Sequence, residues 1–86
     1  MDLDDLLVRY FGCADAADIS AQALAPGIER MRVDLGLEKD RGRRFALWAL
    51  MHMLGHAPEL DVAFKDEADR NAARDFMDLS GRAAGL

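Results

Sequence analysis

Eighty-six residues weighing 9.5 kDa leave room for one hydrophobic core and one domain. Apolar residues make up 51% and charged residues 31%, enough to bury a core and solvate a surface, which excludes a chain too polar to collapse. A single cysteine, an acidic opening (Met1-Asp2-Leu3-Asp4-Asp5) and no apolar run longer than Phe45–Leu54 point away from a disulfide scaffold, a secretory leader and a membrane span, and towards a cytoplasmic protein.

Alanine occurs 15 times and leucine 12 times, against two isoleucines, three valines and no threonine. Strands lack their preferred residues, and no segment sustains an apolar-polar alternation, so the fold class is all-α. The use of Ala, Arg, Asp and Gly over Lys, Glu, Ile and Asn suggests a GC-rich, bacterial coding sequence.

Taken in chain order, Asp2 can cap a first helix whose Leu3, Leu6, Leu7, Tyr10 and Phe11 form one stripe, and Gly12 ends it. Residues 13–18 read as a connection. Asp18 or Ser20 then caps a segment with Ile19, Ala23, Leu24, Ile28, Met31 and Leu35 at helical spacing. Pro26-Gly27 predicts a kink there, or two pieces at 19–25 and 27–35, and Gly36 reads as a C-cap. A third helix begins between Glu38 and Arg41 and runs to about Gly55, because Pro58 disfavours helical geometry at Ala57. Pro58 opens a short turn through Phe64. Asp66 caps a last helix with Ala68, Ala72, Ala73, Phe76, Met77 and Leu79 on one side. The expected fold is a small bundle of four main helices with a short fifth, in one domain over 1–86 with a frayed tail from about 81.

The central helix, around residues 40–55, is the most informative element. Projection at ~100° per residue puts Leu47, Leu50, Met51 and Leu54 on one side and Phe45, Trp48, Ala49 and His52 on the other, so Phe45–Leu54 has no polar face. Either the other helices wrap it, or one face meets another chain. A domain this small buries only about 60–65% of its unfolded surface, which favours partial wrapping plus an oligomer contact through Phe45, Trp48, Met51 and Met53.

His52 and His56 stand four apart, a spacing that lets two imidazoles reach one metal ion or haem, with a further ligand from Glu59, Asp61 or Cys13. The intervening Met53-Leu54-Gly55 lacks the glutamate of a zinc protease, and a core or interface histidine is the competing explanation. Charge is uneven along the chain: the first 18 residues carry −4, residues 29–44 carry +2 and residues 59–82 carry −3. Arg41, Arg43 and Arg44 suit an acidic partner surface. A net charge of −5 and the interleaved Glu29, Asp34, Glu38 and Asp40 argue against nucleic acid, and pairing with nearby acids is the simpler use of the cluster. Cys13 has no histidine near it in sequence to activate it, and Asp61, Asp66, Glu67 and Asp69 lack the spacing of a calcium loop.

These readings predict a non-enzymatic, acidic protein-protein interaction domain. It self-associates as a homodimer through the central helix, or docks to another protein, and is assigned no cofactor. The alternative is a metal- or cofactor-binding bundle built on His52 and His56.

Overall fold

The computed structural model describes the backbone of residues 3–84 and the side chains of residues 3–79. The described residues form α1 (Leu3–Phe11), a 3-10 turn (Ala16–Asp18), α2 (Ala21–Leu37), α3 (Arg41–Met53), α4 (Leu60–Ala63) and α5 (Glu67–Ala84), with no strand among them. Side-chain oxygens cap the starts. Ser20 accepts from Ala23 N–H at 3.1 Å, Asp40 from Arg43 N–H at 2.9 Å and Asp66 from Ala68 N–H at 2.9 Å. Gly55, at φ +79°, ends α3 in a Schellman turn in which Gly55 N–H donates to His52 C=O and His56 N–H to Met51 C=O. The expected Asp2 cap lies outside the described residues. α5 stays helical past Gly81, and Gly85 and Leu86, the end of the expected tail, also lie outside them.

α2 departs from expectation at two places: it is not split into two pieces at Pro26-Gly27, and it runs past Gly36. α2 runs unbroken through Pro26 because the next residue, Gly27, is a buried notch filled by the Phe11 ring. A Cβ there would stand 2.2 Å from Phe11 Cε1, so α1 clamps the helix at the point where proline weakens it. Gly36 is not a cap. The helix continues to Leu37 and closes at Glu38, whose N–H donates to Asp34 C=O at 2.8 Å.

α1 and α2 lie antiparallel: Phe11 meets Gly27, Tyr10 meets Arg30 and Asp34, and Leu6 shares a crevice with Leu37. α3 passes between this pair and the α4–α5 arm, and Leu47 to Met51 are buried in an unbroken run. Trp48 is 1% exposed, ringed by Phe45, Phe64 and Phe76 with centroids 5.7–5.8 Å away. Within the protomer the central helix is covered over Leu47–Met51, while Phe45 and His52 are half-buried and Met53 is exposed. Ten residues of helix span only ~15 Å, a length that neighbours spaced ~8–10 Å apart can enclose from both sides.

Three arginines close the C-terminal ends, where carbonyls lack helical partners. Arg30 donates to Tyr10 C=O at the end of α1, and Arg70 to Phe64 and Lys65 C=O (3.1 and 2.9 Å) after α4. Arg44 joins three elements: it donates to Leu35 C=O, to Glu38 C=O at 3.1 Å, and through Nε to Ala63 C=O at 2.6 Å. Replacing Arg44 by Met keeps most of the stem but strips these donors. Urea unfolding of Arg44→Met is expected to show a loss of about 2–3 kcal/mol; a loss below about 0.5 kcal/mol, the size of an ordinary surface change, would show that the clamp is dispensable.

Candidate functional site

The residues expected at an interface fall into two groups. Trp48 and Met51 are fully buried and Phe45 is half-buried among the aromatic rings, so in this conformation they are contacts within the protomer. Met53, at the end of α3, is exposed. The indole Nε1–H is buried without a hydrogen-bond acceptor among the described residues, a cost of about 1–3 kcal/mol that the aromatic packing has to offset.

The histidines do not converge. His52 stacks on Trp48 (centroids 5.2 Å, planes 10° apart) and meets the edge of Phe76, whereas His56 follows the Schellman turn and lies exposed beside Leu24 and Ile28 of α2. Because α3 ends at Met53, the two do not share a helical face, and the described residues hold no cluster of three His, Cys, Asp or Glu side chains with metal-site geometry. Cys13 Sγ donates to the Asp15 carbonyl, at 3.5 Å.

The arginine cluster also divides. Arg44 is committed to three carbonyls, two at the end of α2 and one at the end of α4. Arg41 forks onto Asp69 (2.7 and 3.2 Å), which raises its already high pKa further through the hydrogen bond and the adjacent charge. Arg43 remains on the surface with a 4.0 Å contact to Glu38.

A polar centre absent from the sequence reading lies between α1 and α2. Tyr10 is buried and donates its hydroxyl to Asp34 Oδ2 at 2.5 Å, while Arg9 and Arg30 stand 5.7 and 5.9 Å from the ring centroid. Burial first, then the Asp34 hydrogen bond and charge, push the phenol up to about 12, and the two arginines oppose the shift without cancelling it. This phenol is a structural donor with little capacity as a general base near neutral pH.

The exposed large apolar side chains supply the remaining surface. Leu37 (73% exposed) and Val33 (60%) stand one turn apart on α2, and Val62 (70%) lies across a groove from Leu35 and Gly36. The groove is a hollow of about 400 Å³ whose lining includes Arg32, Arg44 and Pro58 but no carboxylate. It opens towards a second hollow beside Leu37, Lys39 and Lys65. A signal for this surface was present in the sequence: at ~100° per residue Val33 and Leu37 cannot share the face that carries Ile28, Met31 and Leu35.

Comparison with family models, with curated proteins and with solved structures finds no match to this chain. No helix among the described residues is long and apolar enough to cross a membrane.

The chain has one tyrosine, so phenolate absorbance reports Tyr10 directly. Its folded pKa lies above the unfolded value of 10.0, so the stabilisation is complete below pH 10 and disappears as pH rises through about 12. A titration midpoint near the ordinary value in the folded protein would contradict the Tyr10–Asp34 contact.

Proposed function

We propose that this chain is a non-enzymatic, cytoplasmic interaction domain that self-associates, and that the contact surface is the outward face of α2 with α4, not the central helix. One observation carries the reading: Leu37 and Val62, exposed by 73% and 70%, line two hollows that share Gly36 and Arg44, and Val33, 60% exposed, stands one turn before Leu37 on α2, beside Arg9 and Arg30. Singly scattered apolar residues are ordinary on a protein surface, whereas large apolar side chains beside adjoining hollows mark a surface that gains by being covered. Lys39 and Lys65 share their hollow with Glu38, Asp66 and Asp69, whereas Arg32 lines the groove that has no carboxylate, so Arg32 is the cation that favours an acidic complement and orients its approach. The reading with His52 and His56 as a metal or cofactor site has no geometric support, since one ring stacks on Trp48 and the other lies beyond the helix end.

Light scattering across micromolar to millimolar concentration tests the reading. The mass is expected to rise above the 9.5 kDa protomer, and Val33→Ser with Leu37→Ser to suppress the rise while leaving the melting temperature nearly unchanged, because both side chains are exposed in the protomer. A 9.5 kDa species at every concentration would remove self-association.

A further inference from the structure

Gly36 is a glycine for which the fold provides no use. It sits inside α2 at negative φ, caps nothing, and a Cβ built on it meets no atom within 4 Å. A helix-interior glycine in open space lowers stability relative to alanine. Gly27, by contrast, is required by the Phe11 ring. Gly36 lies on the rim shared by the two hollows, with Leu37 next to it on one flank and Val62 on the other. A bare backbone at that point permits a second helix to cross α2 at short range, since interaxial distance is set by the side chains at the crossing.

The chain itself contains a helix face suited to that position. On α5 the buried side is marked by Ala73 and Phe76. Ala68, Ala72, Asp75 and Leu79 recur at spacings of four, three and four residues on a stripe displaced by roughly a third of a turn. All four are exposed, Leu79 by 65%, although the sequence placed Ala68, Ala72 and Leu79 on the packed side with Ala73. Small residues at 68 and 72 allow a close approach, and Leu79 provides an apolar anchor. Asp75 and the neighbouring Asp78 make no ion pair among the described residues, while the groove presents Arg32, whose one partner among them is an exposed Glu29 at 3.5 Å. An exposed pair of that kind contributes little and is readily exchanged.

We propose that the Ala68–Leu79 face of α5 from one copy of the chain seats in the α2–α4 groove of a second copy, crossing at Gly36 and bringing Asp75 and Asp78 to Arg32. The proposal rests on the self-association reading and names its two surfaces. Every copy carries both halves of the contact, so a two-fold arrangement closes a dimer and a head-to-tail arrangement extends further.

The test uses the full chain in sedimentation equilibrium, with thermal unfolding as the check on folding. Gly36→Ala is expected to raise the melting temperature by about 2–6 °C, as helix propensity requires, yet to weaken association at least about tenfold. Arg32→Glu alone and the double variant Asp75→Arg with Asp78→Arg are each expected to weaken self-association. An equimolar mixture of these two proteins restores it, because the reversed groove then meets the reversed helix. If the wild-type chain is monomeric throughout, the self-association reading falls and this pairing with it. If the wild type associates but Gly36→Ala and the charge variants associate equally well, or the mixture fails to restore association, the pairing alone is overturned.

Discussion

The architecture depends on how this chain satisfies the carbonyl ends of short helices. α4 has four residues, too few to persist alone, and α2 ends without a left-handed residue. Arg44, rooted in α3, donates to carbonyls of both, tying the end of α2 and the end of α4 to one guanidinium. That junction sets the width of the α2–α4 groove and holds Phe64 against Trp48, which is part of what seals the central helix. Arg30 and Arg70 repeat the device at the ends of α1 and α4, so three of the chain's cations act where peptide dipoles leave partial negative charge.

The surplus apolar surface consequently lies elsewhere than a count of greasy residues suggests. Phe45, Trp48, Phe64 and Phe76 interlock around α3, with His52 stacked on the indole, and absorb the segment without a polar face. Exposed apolar side chains sit on every α-helix, Val8 on α1 and Met53 at the end of α3 included, and on α2, α4 and α5 charges of opposite sign lie near them: Arg32 beside the groove and carboxylates on α5. The proposed association through these outer faces would leave each protomer's core undisturbed, and so would not require the monomer to open.

Local features were legible in the sequence because their causes are local. The all-α class follows from the residue counts, Ser20 and Asp66 cap the helices their types favour, α3 starts within the expected Glu38–Arg41 window, and Gly12 and Gly55 stop helices with positive φ. The burial of Trp48 was not legible, because it depends on Phe64 and Phe76 arriving from other elements. Of the three arginines, Arg41 and Arg43 contact acids as charge counting suggests, whereas Arg44 binds backbone carbonyls, which charge counting does not see. The histidine pair failed because Gly55 ends the helix between its members, and the Tyr10–Asp34 contact joins residues 24 positions apart that no periodicity connects. Val33 and Leu37 could have been found by carrying the helical projection past the stripe that faces the core.

The central claim is that the apolar helix is covered by its own protomer and that copies meet through outer surfaces. Trp48 is the single tryptophan and reports on this directly. Its emission wavelength and its accessibility to a soluble quencher should be followed as the protein is diluted through dissociation into protomers. A blue-shifted, poorly quenched indole that stays constant across the whole range is the predicted result; emission that shifts red and becomes quenchable as the assembly dissociates would mean that another chain covers it, and would contradict the account.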